Sequence, residues 1–99
     1  MDFFQAFHYL KEHPAFKEYF VESLDIAVVK VDPKTKRIED EQSRNTETAV
    51  WLETGPVYEG KHREPIYTHD PDIDCGGSTF EEAIIRLAKN VARYYDHEV

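Results

Sequence analysis

The strongest pattern of apolar and polar positions lies in the last third of the chain. Phe80, Ile84, Leu87, Val91 and Tyr94 recur at spacings of four, three, four and three, and Ile85, Ala88, Ala92 and Tyr95 form a second stripe beside them. This is the period of a helix whose buried face is wider than a coiled-coil seam. Glu81, Arg86, Lys89, Asn90 and Arg93 fall on the side toward water. Ser78 or Thr79 can cap the start, and Ser78 with Glu81, or Thr79 with Glu82, makes a capping box. Acids open the segment and Lys89 and Arg93 close it, which complements the helix dipole. The prediction is a helix over 79–95, roughly 25 Å long at about 1.5 Å per residue, enough to cross a small sheet.

Upstream the period changes. Phe3, Ala6, Phe7 and Leu10 share one face of a predicted helix over 2–12, with Asp2 as N-cap. Pro14 interrupts it. Proline suits a first helical turn, so a second short helix is predicted from there to about Ser23. Phe16, Phe20 and Leu24 would face inward, and Tyr9 and Tyr19 would be half-exposed. Ile26 to Asp32 is a short β-branched strand that ends in the turn Asp32-Pro33-Lys34-Thr35-Lys36. Arg37-Ile38-Glu39 is predicted as its hairpin partner.

Thr46 to Thr54 is a longer predicted strand. Its apolar run Ala49-Val50-Trp51-Leu52 implies partial cover on both faces. Gly55-Pro56 ends it, residues 55–64 read as a connecting loop, and Pro65 to Thr68 as a fourth, edge strand. The Gly-rich stretch before the last helix reads as a turn. The order predicts one α+β domain over 1–99: a small three- or four-stranded antiparallel sheet with two N-terminal helices and one long C-terminal helix packed on it.

Composition narrows the picture. Ninety-nine residues, 40% hydrophobic, suffice for one core. No apolar run approaches a membrane span, and residues 1–20 lack the pattern of a signal peptide. The single Cys75 has no internal partner, so the expected location is a reducing cytoplasm. Net charge is −8, and residues 64–85 hold six acids (Glu64, Asp70, Asp72, Asp74, Glu81, Glu82) and no Lys or Arg. Such a surface repels phosphate backbones and suits a basic protein surface. The expectation is that these six acids bind a protein partner, with no direct contact to nucleic acid or membrane. The competing reading is that they only keep the protein soluble.

Candidate chemistry is concentrated in residues 69–81. Asp70, Asp72, Asp74 and Glu81 take positions one, three, five and twelve of a calcium loop, with Ser78 at nine. Cys75 stands where that loop needs glycine, and a strand rather than a helix precedes it. The bland alternative is an acidic turn that ends a strand and caps a helix, with no metal and no cofactor. Cys75 near a helix start and His69 nearby suggest a Cys–His nucleophilic pair, or simply a packed thiol; no third orienting group is evident. His8, His13, His62, His69 and His97 have no zinc-site spacing, and no phosphate-loop, dinucleotide, nucleophile-elbow or zinc-protease motif occurs. A non-catalytic protein is expected. The alternative of another class is a metal-dependent or Cys/His hydrolase centred on residues 69–81.

Two resemblances bear on function. Asp70-Pro71-Asp72-Ile73-Asp74-Cys75-Gly76-Gly77-Ser78-Thr79-Phe80-Glu81-Glu82-Ala83 resembles the strand–loop–helix segment of HicB-type antitoxins, which implies an inhibitor that binds a toxin. Val50-Trp51-Leu52-Glu53-Thr54-Gly55-Pro56, with His69-Asp70 and Asp74 to Ile85, is similar to small uncharacterised proteins encoded in phages and prophages of Gram-positive bacteria. That likeness implies a mobile-element origin and supplies no activity. The expectation is a small acidic cytosolic phage-associated protein that acts by binding another protein, as inhibitor or accessory factor.

Overall fold

The structure is a computed structural model that describes residues 1–34, 46–60, 64–68 and 70–97. It is built on the predicted C-terminal helix, α3 (Phe80–Tyr95). Ala83, Ile84, Leu87, Ala88, Val91 and Ala92 are buried along one side of it. Burying a side chain such as Leu87 contributes about 1.5–3 kcal/mol by removing apolar surface from water. Thr79 is the N-cap, and its hydroxyl accepts the Glu82 N–H at 3.1 Å. The Glu82 carboxylate reaches one residue further back than in a standard capping box and accepts the Ser78 N–H at 3.2 Å. At the other end the stripe departs from expectation: Tyr94 is 45% exposed, because the buried face has drifted onto Ala88, Val91 and Ala92.

The sheet that α3 covers has the order β1-β2-β5 and is antiparallel throughout. β1 is Leu24–Val31, β2 is Glu47–Thr54 and β5 is Cys75–Gly77. β1 and β2 pair without a bulge from Leu24↔Thr54 to Val31↔Glu47. Leu52 and Val50 face the helix, while on the opposite face Ala49 is buried, Trp51 half-buried and Glu53 exposed, so the second side of β2 is covered in part. The residues predicted as a hairpin partner for β1, Arg37 to Glu39, lie outside the described residues, as do most of the turn before them, the acids Glu39 to Glu41 and the basic cluster Lys61-His62-Arg63.

Two elements correct the sequence reading. Cys75-Gly76-Gly77 is a strand rather than a turn, and it pairs with Leu52, Trp51 and Val50. Glycine is what permits it. A Cβ on Gly77 would lie 2.6 Å from the Ala83 backbone nitrogen, so the start of α3 packs directly on bare backbone. A Cβ on Gly76 would lie 2.9 Å from the Trp51 ring, which covers that residue from the neighbouring strand. The predicted edge strand also pairs elsewhere: β4 (Glu64–Tyr67) joins β3 (Val57–Glu59), within the expected loop, as a separate two-stranded sheet.

The N-terminal part closes the other side of α3. α1 (Phe3–Glu12) starts at Asp2 in a full capping box with Gln5. Phe3 meets Phe80 with ring centroids 6.0 Å apart, and Ala6 and Leu10 are fully buried. The predicted second helix is broken. Pro14–Phe16 is a single 3-10 turn, Lys17 and Glu18 take left-handed φ values of 49° and 69°, and α2 is only Phe20–Ser23. Neither residue is a helix breaker by propensity. Tertiary burial decides: the redirected chain brings Phe16 and Phe20 edge to face at 5.0 Å inside the core. No described helix is long and apolar enough to cross a membrane.

Candidate functional site: an acidic and aromatic edge

The chain between β4 and β5 is an acidic turn held from several sides. Pro71–Ile73 forms a 3-10 turn, and Asp70 caps it by accepting the Asp72 N–H at 3.0 Å. Ile73 is fully buried and anchors the turn under α3, where the Asn90 side-chain amide donates to the Ile73 carbonyl at 3.1 Å. Asp74 accepts the Thr54 backbone N–H at 3.2 Å and ties the turn to β2. The end of α3 comes down beside it, and the Tyr95 hydroxyl donates to Asp70 Oδ2 at 3.4 Å. Tyr94 packs edge to face on Tyr95 at 4.8 Å, with its ring open to solvent.

Electrostatics follow from this packing. Burial, then the charge on Asp70, pushes the Tyr95 phenol up to about 12. The hydrogen bond to Asp70 and its charge raise Tyr94, with a smaller contribution from Asp72. Tyr67 is raised chiefly by burial. All three phenols therefore keep their protons at neutral pH, and Tyr94 and Tyr95 act as donors toward Asp70.

The six acids expected to meet a partner have two different fates. Asp70, Asp74 and Glu82 are engaged within the fold, and Glu82 also pairs with Arg86 at 3.3 Å. Glu64, Asp72 and Glu81 are exposed, and no described hydrogen bond or ion pair uses their carboxylates. Glu64 stands opposite Glu59 across the β3–β4 ladder, so that edge concentrates negative charge. The carboxylates placed in calcium-loop register do not converge. Asp70 and Asp74 turn toward backbone N–H groups and Glu81 faces water on α3, and among the described residues no group of three His, Cys, Asp or Glu side chains is gathered to hold a metal.

Cys75 lies inside β5, with its thiol donating to the Ala83 carbonyl at 3.4 Å. Burial pushes it up to about 12, and the opposing influence of Arg86 is smaller. A thiol in that state carries almost no thiolate at neutral pH, so it is a poor nucleophile. His69 lies outside the described residues.

One constellation has no counterpart in the sequence reading. Tyr9, His13 and Asp96 meet beside a shallow cavity of about 390 Å³, also lined by His8, Glu12 and Pro14. His13 Nδ1 accepts the Ala15 N–H at 3.1 Å, which places the ring proton on Nε2, where it is donated to Asp96 at 3.1 Å. Tyr9 donates to the same carboxylate. With both ring nitrogens engaged, His13 is a clasp between α1 and α3. Eighty-three positions separate His13 from Asp96, and no local pattern marks them as partners.

Comparisons with protein-family models, with curated proteins and with solved structures find no match to this chain.

Proposed function

We propose that the protein acts by binding a basic segment of another protein on the edge formed by the Pro71–Ile73 turn and the end of α3. The observation that supports this is the exposed Tyr94 ring set against Asp70 and beside Asp72. An arginine or lysine meeting that edge finds a free carboxylate at Asp72 and an aromatic face at Tyr94. Tyrosine with a flanking charge is a common composition for a contact surface, and complementary charge speeds association. Glu64 and Glu81 extend the negative field without direct structural duties. The likeness to phage- and prophage-encoded proteins supports an accessory or inhibitory factor of mobile-element origin working in the cytoplasm. The reading involves no catalytic step and no cofactor.

Titration with an arginine-rich peptide, followed by amide NMR, tests it. Shifts are expected at residues 70–74 and 92–96. Asp72→Lys is expected to weaken the response by about tenfold, as is added salt, since the contact is exposed and screened. Asp74 is a poor choice for charge reversal, because its carboxylate holds the Thr54 N–H. Shifts spread over the whole acidic surface and indifferent to Asp72→Lys would reduce the segment to solvated charge.

A further inference from the structure

The edge proposed to meet a basic segment depends on where the last turn of α3 lies, and a helix end is hard to hold. Helix ends fray, and their final carbonyls lack partners within the helix. The Tyr95 hydroxyl reaches Asp70 Oδ2 at 3.4 Å, longer than the roughly 2.5–3.0 Å of a strong O–H···O bond. Tyr94 packs on Tyr95, and its ring is open to solvent. Contacts this weak need support from behind.

His13 supplies it. Its ring centroid lies 5.6 Å from that of Tyr95, and its Nε2–H donates to Asp96, the next residue and the C-cap of α3. The ring is itself fixed, with Tyr9 edge to face at 5.3 Å, Phe16 at 6.3 Å, and Nδ1 accepting the Ala15 N–H. His13 is only 8% exposed, so it can set a neighbour in place but cannot present its own ring to a partner. Backbone strain marks the same segment. Lys17 and Glu18 take left-handed φ values, which residues other than glycine adopt at a cost. The turn they make seats Phe16 against His13 and, at 5.8 Å, against Tyr67, the last residue of β4. Such strain persists only where the surrounding packing over-determines it.

From this geometry, and resting on the function proposed for the edge, we infer that His13 is a positioning residue for partner binding: it fixes Tyr95 and Asp96, and through them sets Tyr94 and Asp70 in the arrangement a basic segment meets. The route is a continuous chain of contacts. It runs from the His13 ring to the Tyr95 ring, from the Tyr95 hydroxyl to Asp70, and from the Tyr95 ring to Tyr94. Side chains locked in this way lose less freedom when a partner arrives, so the partner binds more tightly. Both features of the imidazole are used. A phenyl ring at position 13 would back Tyr95 but leave Asp96 to Tyr9, and an asparagine would still accept the Ala15 N–H but bring neither the ring nor the Nε2–H.

Amide hydrogen exchange and affinity for the arginine-rich peptide, measured on the wild-type chain, His13→Asn, Tyr95→Ala and the double variant, are the test. His13→Asn is expected to speed exchange of the Tyr95 and Asp96 amides about tenfold more than that of Val50 and Leu52 in β2. A rise of equal size at all four would mean a loss of overall stability and would overturn the positioning role. Peptide affinity is expected to fall about fivefold in His13→Asn. Added to Tyr95→Ala, the same change is expected to cost nothing more, because residues acting along one path are not additive. Full additivity overturns the inference. If His13→Asn does not fold, Tyr9→Phe, which removes only a hydroxyl, takes its place. Faster exchange confined to the last turn of α3 and weaker peptide binding then support the inference, and no change in either overturns it. A wild-type chain that ignores the peptide defeats the binding function and this inference with it. Wild-type binding that His13→Asn leaves unchanged defeats the inference alone.

Discussion

Among single residues, position within the packing separates side chains of the same type. Asp72 and Asp74 are two residues apart, yet Asp72 points free into water and Asp74 is bound to the Thr54 N–H. Cys75 sits before a helix start, a place where thiols can be activated, but its side chain lies inside the sheet. Its titration gives a prediction with a definite sign. The folded thiol is raised from an ordinary 9.0 to about 12, so the native state holds its proton longer than the unfolded chain does. The stability this contributes is complete below about pH 9 and is lost as pH rises toward about 12. Denaturation midpoints should therefore fall across that window by the equivalent of a few kcal/mol. Cys75→Ala should flatten that limb while changing neutral-pH stability less, leaving the smaller losses from Tyr67 and Tyr95. An unchanged alkaline limb in the variant would mean the thiol is not desolvated as placed. Thiol labelling of the native protein at neutral pH should likewise be slow.

At the level of elements, the short strand β5 joins sheet to helix, and its two glycines make different demands. Neither is held at positive φ, so alanine at either is compatible with the backbone, and steric room alone decides. Gly77→Ala would drive a methyl into the Ala83 backbone, which cannot yield without moving α3. A cost of about 1–3 kcal/mol is expected from overpacking. Gly76→Ala presses on the half-buried Trp51 ring, which can tilt. There the roughly 0.4–1 kcal/mol gained by restricting the unfolded chain offsets the strain, so the change should be near neutral. Urea denaturation of both variants checks the order; equal costs would place the helix farther from the strand. Sequence pattern alone reads this segment as a turn, because two adjacent glycines look like a chain reversal until a ring and a helix backbone are brought against them.

Across the whole molecule, the two ends of the chain are clasped. Tyr9 and His13 at the end of α1 share the carboxylate of Asp96, the C-cap of α3. The hydrogen bonds from Tyr9 and then His13 hold Asp96 below its ordinary 3.8. A carboxylate depressed in the folded state contributes stability that is present above its unfolded value and lost as pH falls through the folded one. Asp96→Asn should therefore be less stable than wild type at neutral pH, with the gap closing once the pH is taken well below 3.8. Chemical denaturation at the two pH values reads this out, and a gap that persists in acid would show that packing rather than charge holds the ends together. The acidic surface acts at this scale as well, since its repulsion opposes self-association and favours basic partners at once.

The sequence by itself determined what depends on neighbours along the chain. The period of residues 80–95 made α3 and its buried face legible, Ser78 or Thr79 and Asp2 marked helix starts, and β-branched runs marked β1 and β2. Side-chain spacing and capping are local properties, so an α+β architecture with helices at both ends could be read directly. The tertiary structure alone decided which strand pairs with which, since pairing partners lie far apart in sequence and are selected by packing. It made β5 a strand, moved β4 out of the main sheet, broke the second helix to bury Phe16, and brought Tyr94 and Tyr95 onto Asp70. It also divided six similar carboxylates into three that hold the fold and three that face outward. A carboxylate's role depends on which backbone N–H groups come within about 3 Å of it, and that distance is set only when the chain has folded.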